Sequence, residues 1–243
     1  MQKEEPFSYP VRINRYLALK KYCSRREADE FIKQRAVTIN GRIAVLGDVV
    51  RHSDTVVFNA RIQKRAAQEL VYFVYHKPAG IITHSPEQGQ KSIAQSVRLP
   101  QGVVPVGRLD KASRGLIILT NDGRVTDALL NPRHNHEKEY VVTVDKPLNP
   151  AFTRKMSAGV QLEDARTKPC IVRPTGPKTF HITLTEGKKH QILRMCAALG
   201  WQVKDLERIR IMNIMLGTQG VGVLRPIEGQ ELKKFLVALD IPQ

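Results

Sequence analysis

The irregular order of predicted strands and helices after residue 70 is the feature that most constrains the fold. Apolar and alternating runs predict strands over residues 71–75, 116–119, 139–144 and 179–185. Helical spacing of apolar residues predicts helices over residues 125–130 and 191–199, the second ending at Gly200. Strands and helices do not alternate as they do in a doubly wound parallel sheet. The pattern therefore favours an α+β body with a mixed, largely antiparallel sheet.

The first 65 residues differ from the body in charge. They hold 14 Lys or Arg against 7 Asp or Glu, which is close to half of the net charge of +16 in a chain of 243 residues. Two short helices and three or four short strands are predicted here, with a hairpin turn at Asn40-Gly41. Ser24 and Glu27 form a capping-box pattern at the start of the second helix. We predict a small N-terminal domain over residues 1–62, a linker over 63–70 and a larger domain over 71–243.

The basic charge indicates a polyanionic partner, with nucleic acid the first candidate and an anionic membrane surface the second. The sequence has no run of about 18 apolar residues that could span a bilayer, and its polar first residues predict no secretory signal. The three cysteines, Cys23, Cys170 and Cys196, are scattered. This scatter argues against a disulfide framework or a zinc site and predicts a reducing, cytoplasmic location.

Several basic residues cluster near the predicted starts of the first two helices. We predict RNA-binding positions at Arg12, Arg15, Ser24, Arg25 and Arg26. The helix after Ser24 would also direct free amides and a positive dipole end outward, where a phosphate could bind. The alternative is a solvated charged face, and the density of the cluster favours contact with RNA or DNA.

The motifs of several enzyme classes are missing. The sequence has no Walker loop, dinucleotide fingerprint, His-Glu-x-x-His, Cys-x-x-Cys or Gly-x-Ser-x-Gly. His134 and His136 are close in sequence, but two histidines in a loop are more often solvated than bound to metal. We therefore predict no metal site and no small-molecule cofactor.

One candidate for chemistry is the segment from Val106 to Gly123. It places Asp110 in a tight loop, with Arg108 two residues before it and a fully apolar strand after it. Taken alone, this is a carboxylate beside a guanidinium at the edge of a buried sheet. The alternative is a surface turn that contains a structural ion pair.

Two resemblances cover nearly the whole chain. Residues 11–58 resemble the αL RNA-binding domain of a small-subunit ribosomal protein, except that Arg35 stands where that family usually has glycine. Gly107-Arg-Leu-Asp110 with the following Gly115–Gly123 stretch resembles the catalytic motif of RNA pseudouridine synthases of the RsuA-type family. Further matches lie at 76–80, 138–140, 186–187, 190–192, 194–195 and 206–213. The Arg210-Ile-Met-Asn213 tail and Cys196 are similar to a branch that acts on 23S rRNA of the large subunit.

The resemblance implies site-specific isomerisation of uridine in a structured stem-loop of rRNA, by an enzyme that needs no redox cofactor, metal or nucleotide. The sequence leaves the oligomeric state open, and a monomer is the default expectation. Asp110 matches the essential aspartate, which attacks the base or the ribose or assists removal of a sugar proton. Arg108 is expected to fill the position vacated by the flipped base or to hold Asp110 ionised. Tyr140 matches a tyrosine that stacks on the uracil and takes its C5 proton. Lys77 and Pro78 are expected to shape the active-site floor.

Other functions on this scaffold are a non-catalytic RNA-binding or ribosome-assembly factor and an rRNA methyltransferase. The intact Asp110, Arg108 and Tyr140 favour the enzyme, and the methyltransferase would need a Gly-rich cofactor loop that the sequence lacks.

The largest departure from the family is Leu193, where relatives commonly have a basic residue that pairs with the catalytic aspartate. Three outcomes are open: Arg194 pairs with Asp110 after a small helix rotation, Arg108 does so alone, or the enzyme is slow. We predict reduced activity with the acidic limb of the pH–rate profile displaced upward. Leu193→Arg should then raise turnover and move the acidic limb to lower pH.

Overall fold

The computed structural model describes residues 9–20, 22–23, 25–58, 69–84, 89–131 and 134–241. The helices of these residues, α1 to α7, are Ile13–Leu19, Arg25–Lys33, Ile93–Ser96, Gly123–Leu130, Pro150–Ser157, Gln191–Ala198 and Gly229–Ala238. The strands, β1 to β14, are Val11–Arg12, Val37–Ile39, Arg42–Ile43, Val49–Val50, Val56–Phe58, Tyr72–Lys77, Val104–Val106, Arg114–Thr120, Lys138–Val144, Ile171–Gly176, Thr179–Leu184, Val203–Ile211, Ile214–Met215 and Leu224–Pro226. In the described part of the chain, no helix has both the length and the apolar character needed to cross a membrane.

The chain divides into two compact units. The first comprises residues 1–70 together with Asp122–Asp127, and the second comprises 71–121 and 128–243. Residues 63–68 of the predicted linker lie outside the described residues.

The first unit has its own small apolar core beneath two short sheets. β2 pairs with β3 and β5, and β1 pairs with β4. Ile13 and Leu17 of α1 and Ala28 and Ile32 of α2 are buried, as their helical spacing predicts. Arg35 has a φ of 60°, so a side chain occupies the left-handed position at the end of α2 that glycine favours. The fold tolerates this departure at a cost of about 1 kcal/mol.

The second unit is built on one nine-stranded sheet. Its main path is β10-β11-β9-β12-β8-β6-β14, with β7 beside β8 and β13 beside β12. All pairs are antiparallel except β12 with β8. The predicted α+β architecture with a mixed, largely antiparallel sheet is therefore confirmed. β8 lies in the middle, and its apolar run Leu116–Leu119 is buried, as a central strand requires.

One core cluster packs α5 and α6 against the sheet. Phe152 and Met156 of α5 and Ile192 and Met195 of α6 are buried with Phe180 of β11. The Asn149 side chain accepts a hydrogen bond from the Phe152 amide at 2.8 Å and so caps α5, while Pro150 begins the helix. The helix α6 matches the predicted one, and Gly200 follows its end with a φ of 89°.

Several strands differ from their prediction, and the sequence patterns did not predict β7, β10, β13 and β14. β6 does not stop before His76 but continues through Lys77. The return strand of the N-terminal hairpin is Arg42–Ile43, where the apolar pattern predicts residues 43–45. The sequence patterns also did not predict β12 over Val203–Ile211, because its charged residues hide the strand period. Arg208 lies buried inside that strand, where an apolar residue is usual.

Candidate active site

Four neighbouring strands bring one residue each to the same level of the sheet. In the strand register, Lys77 of β6 pairs with Gly115 of β8, Gly115 with Arg208 of β12, and Arg208 with Tyr140 of β9. Residues paired across strands project from the same face of a sheet. Lys77, Arg208 and Tyr140, which are far apart in sequence, thus form one cross-strand row.

Gly115 is the one position in this row where a side chain cannot fit. Its φ is 110°, and an added Cβ would lie 2.3 Å from the Arg208 carbonyl oxygen and 2.6 Å from the Arg208 nitrogen. The glycine therefore permits β8 and β12 to approach closely, and this approach brings the Arg208 backbone beside the strand that follows Asp110.

The loop that carries Asp110 connects β7 to β8, and its backbone is fixed on both sides of the aspartate. The buried Thr83 hydroxyl donates to the Leu109 carbonyl at 2.9 Å and accepts from the Leu109 amide at 3.1 Å. The Ser113 amide donates to the Asp110 carbonyl at 3.1 Å and closes the turn. The aspartate backbone is therefore held without the use of its carboxylate.

The Asp110 carboxylate is half-buried and pairs with a histidine. The side chain is 36% exposed, and Oδ1 lies 3.3 Å from Nε2 of His190. His190 is the N-cap of α6 and has left-handed backbone angles, φ 50° and ψ 33°. The carboxylate is open to solvent yet has a defined neighbour.

Lys77 lies fully buried beneath the loop. Its Nζ donates to the carbonyls of Ser113 at 2.7 Å and Pro78 at 2.8 Å. Burial lowers the pKa of Lys77 to about 8, the Asp110 charge acts to raise it, and the Arg208 charge lowers it further. Lys77 thus links the end of β6 to the loop of Asp110 through the Pro78 and Ser113 carbonyls.

Arg208 is a second buried cation near the loop. It is 4% exposed, and its Nε donates to the Leu116 carbonyl at 2.7 Å. Its Nη1 lies 3.5 Å from the Arg108 carbonyl, and its Nη2 is buried with no hydrogen-bond partner among the described residues. Burial also lowers the pKa of Lys138 to about 8, and the Arg208 charge contributes to the same shift. Buried Lys77 and Arg208, together with the partly buried Lys138, give this part of the unit positive charge that is shielded from water.

Tyr140 lies at the junction of the two apolar clusters of the second unit. It is partly buried and packs against the cluster that contains Val142 and against the cluster that contains Leu109. Tyr140 is therefore anchored in the core but is not fully buried.

The two arginines predicted near Asp110 have other surroundings. Arg108 is exposed, and the described contact of this residue is its carbonyl with Arg208. Arg194 forms an ion pair and hydrogen bonds with Asp164, and Leu193 packs against the large core cluster. The ion-pair partner of Asp110 in the described structure is His190, which the sequence patterns did not single out.

The predicted RNA-binding residues of the first unit are exposed where the structure describes them. Arg12 lies in β1, Arg15 in α1 and Arg25 at the start of α2, and all three side chains are exposed. Ser24, the Arg26 side chain and thus the predicted capping box lie outside the described residues.

Sequence reasoning missed His190, Arg208 and Thr83 as contributors to the site. His190 and Arg208 fall within segments that match the family, but a single sequence does not tell which of their residues contact Asp110 or its loop. Thr83 carries no motif at all. Within the described residues, no group of three or more His, Cys, Asp or Glu side chains could hold a metal ion.

Known families match both units of the chain. Residues 71–198 match the RNA pseudouridylate synthase family, and residues 11–56 match the S4 domain. The S4 match covers the segment that resembles an αL domain, which confirms that prediction.

Individual relatives agree with the family matches. The chain is 44% identical to the dual-specificity RNA pseudouridine synthase RluF of Escherichia coli K12, over 91% of this chain and 77% of that protein. It is 31% identical to the ribosomal large subunit pseudouridine synthase B of Bacillus subtilis, over 94% of this chain and 97% of that protein. A solved structure described as a pseudouridylate synthase is 30% identical, has a TM-score of 0.69, and aligns over 93% of this chain and 99% of its own. The chain therefore belongs to the RNA pseudouridine synthase family and carries an S4 domain before its synthase domain.

Proposed function

We propose that this chain isomerises uridine to pseudouridine at a specific site in ribosomal RNA, and that Asp110 is the catalytic carboxylate. The observation that carries the proposal is the loop geometry. Backbone hydrogen bonds to Leu109 and Asp110 fix the aspartate, and its carboxylate stays 36% exposed above buried Lys77. The large-subunit 23S rRNA is the proposed substrate, in line with the resemblance at residues 210–213 and with the name of the Bacillus subtilis relative.

The proposed reaction breaks one bond to the ribose and forms another. The bond between N1 of uracil and C1′ breaks, the base rotates, and a bond between C5 and C1′ forms. C5 loses its proton and N1 gains one, so the product is an isomer of the substrate and no electrons are exchanged with a second reactant. Asp110 takes part as nucleophile or as base, and the remaining work is to hold the detached base.

Base flipping is the step that brings the uridine to Asp110. Extrusion from a stack costs a few kcal/mol. Tyr140 offsets this cost by stacking on the extruded base, because its ring is anchored in the core. Its hydroxyl is the proposed acceptor of the C5 proton. Arg108, exposed two residues before Asp110, is proposed to occupy the vacated position in the RNA.

The buried cations supply the electrostatic part of the proposal. A uracil that leaves C1′ with the bonding electrons carries negative charge, and fixed positive charge nearby stabilises such a species. Lys77, Arg208 and Lys138 provide this charge from fixed positions. Arg194 is proposed to act at the rim of the site, from its place beside Asp164.

The first unit is proposed to bind the rRNA stem-loop through phosphate contacts. Arg12, Arg15 and Arg25 are exposed, and Ser24 and Arg26 are proposed to join them. We propose that the protein works as a monomer in the cytoplasm, where rRNA is available.

The test is release of tritium from rRNA fragments labelled at C5 of uracil, made from both 23S and 16S sequences. The wild-type chain should release tritium from a 23S fragment, Asp110→Asn should release none while binding the RNA with nearly unchanged affinity, and Asp127→Asn, on an exposed aspartate, should behave as wild type. Release from neither RNA would favour a non-catalytic RNA-binding protein. Turnover by Asp110→Asn would overturn the assignment of Asp110.

A further inference from the structure

We propose that His190 is a positioning residue for Asp110: it holds Oδ1 of the carboxylate and thereby aims Oδ2 at the extruded nucleotide. The inference rests on the proposed function of Asp110. Its starting observation is the 3.3 Å distance between Nε2 of His190 and Oδ1 of Asp110, across two segments that are 80 residues apart in the numbering.

The backbone of His190 is built for this contact at an energetic cost. A non-glycine residue with φ 50° and ψ 33° is uncommon, because the left-handed region crowds the Cβ atom. Such strain persists only where the surrounding structure enforces it. Here the next residue, the buried Gln191, enforces it: its Oε1 accepts from the Lys188 amide at 2.9 Å and its Nε2 donates to Glu186 at 2.8 Å.

The other basic side chains of this region are engaged elsewhere. Arg194, one turn further along α6, pairs with Asp164. Lys188 donates to the Arg166 carbonyl and lies 4.0 Å from Glu186. Lys77 approaches Asp110 from below, with its ammonium bonded to two carbonyls. His190 is therefore the described side chain that contacts the carboxylate itself.

The strength of the contact between His190 and Asp110 depends on whether water reaches it. A carboxylate accepts hydrogen bonds, so Nε2 of His190 must carry a proton, and a charged imidazolium also attracts the carboxylate. In the free protein both side chains are partly exposed, at 48% and 36%, and such pairs are weak. When RNA covers the site and excludes water, the same contact becomes stronger. We therefore expect the pair to affect the chemical step more than RNA binding.

The experiment uses the full-length protein and a C5-labelled 23S fragment, with single-turnover rates and RNA dissociation constants measured separately from about pH 5.5 to about pH 9. His190→Asn removes the charge and shortens the side chain, and asparagine tolerates left-handed angles. His190→Arg supplies a permanent cation. Lys189→Gln is the matched control, because it removes a neighbouring exposed charge. Urea unfolding of each variant verifies that it folds.

His190→Asn is expected to lower the single-turnover rate by about tenfold or more, with little change in RNA affinity, because a displaced carboxylate meets the nucleotide poorly. His190→Arg should restore much of the rate, since its guanidinium can donate a hydrogen bond to the Asp110 carboxylate from the same position. Lys189→Gln should keep the wild-type rate and profile.

Two results separate this inference from the proposed function. If Asp110→Asn is inactive while folded His190→Asn keeps the wild-type rate and pH profile, His190 has no positioning role and the proposed function stands. If His190→Asn weakens RNA affinity and leaves the bound rate unchanged, His190 is an RNA contact and the inference is overturned. If Asp110→Asn retains turnover, the proposed function itself fails.

Discussion

Asp110 combines a fixed backbone with an accessible carboxylate, and at the residue scale this combination defines the site. Thr83, Ser113 and Lys77 fix the loop through backbone groups, so none of them competes for the carboxylate. Gly115 contributes by lacking a side chain, because only a glycine permits the approach of Arg208. The effect of individual atoms in the site on stability and activity can be tested by substitutions that add or remove one of them.

Gly115→Ala is expected to destabilise the chain by about 3 kcal/mol, because a Cβ would lie 2.3 Å from the Arg208 carbonyl oxygen and two strands would have to separate. Urea unfolding monitored by circular dichroism measures the change. Gly176→Ala is the control, since its added Cβ would only reach ordinary contact with Thr179 at 3.8 Å. Equal stability of the two variants would show that β8 and β12 adapt without cost.

Tyr140→Phe retains the stacking ring and removes the hydroxyl. If the hydroxyl accepts the C5 proton, tritium release should fall by about 100-fold or more while RNA affinity stays near that of the wild type. Tyr22→Phe, on an exposed tyrosine of the first unit, should release tritium at the wild-type rate. Release at the wild-type rate by Tyr140→Phe would assign the proton to another acceptor.

At the element scale, β6 and β12 decide where the charged residues of the site lie. Both strands carry a cation into the interior, Lys77 at the end of β6 and Arg208 within β12, and each is held by carbonyls of neighbouring segments. A buried lysine with neutral hydrogen-bond partners retains a desolvation cost. The cost makes the stability of the fold depend on pH.

Lys77→Met is expected to remove part of this dependence. Burial lowers the pKa of Lys77 from 10.5 to about 8 in the folded chain, so between these values the unfolded chain binds more protons and stability rises with pH. The free energy of unfolding of the wild type relative to Lys77→Met should therefore increase from pH 8 to about pH 10.5, by at most about 3 kcal/mol.

Urea titrations at several pH values measure this difference, in which the ionisation of the cysteine thiols cancels. Lys155→Met, on an exposed lysine, is the control for the loss of one positive charge. A difference between wild type and Lys77→Met that stays constant across the window would show that Lys77 does not titrate there.

At the scale of the whole molecule, the chain joins a basic S4 unit to a synthase unit with a half-exposed carboxylate. The net charge of +16 serves a polyanionic substrate, and close to half of it lies in the first 65 residues. Substitutions of basic residues in the first unit should therefore change RNA affinity, and substitutions around the carboxylate of the second unit should change the rate of the chemical step.

The triple variant Arg12→Gln, Arg15→Gln and Arg25→Gln should bind rRNA more weakly at low salt. Each lost phosphate contact removes about 0.7 to 0.9 from the slope of log affinity against log salt, so the slope should fall by about 2 to 3. Replacement of the same three residues by lysine keeps the charge and should keep the slope. An unchanged slope in the glutamine variant would show that these arginines form a solvated face.

The sequence by itself determined the fold class, the two kinds of unit and the position of Asp110, because these depend on local patterns. The apolar run in β8, the helical spacing in α6 and the Gly107-Arg-Leu-Asp110 motif are each visible within about 20 residues. The departure at Arg35 was also visible in the sequence, because the family that this segment resembles usually has glycine there. The structure gives Arg35 the left-handed φ of 60°.

The tertiary structure alone decided which side chains surround that aspartate. The sequence patterns did not predict β12, because charged residues interrupt its apolar alternation. The burial of Arg208 depends on the register of β12 with β8 and β9. The absence of a basic residue at position 193 did not identify His190 as the partner of Asp110. The direction of the His190 side chain depends on its left-handed backbone, which Gln191 fixes. Contacts between segments 80 or more residues apart follow from strand register and loop geometry, which no local pattern encodes.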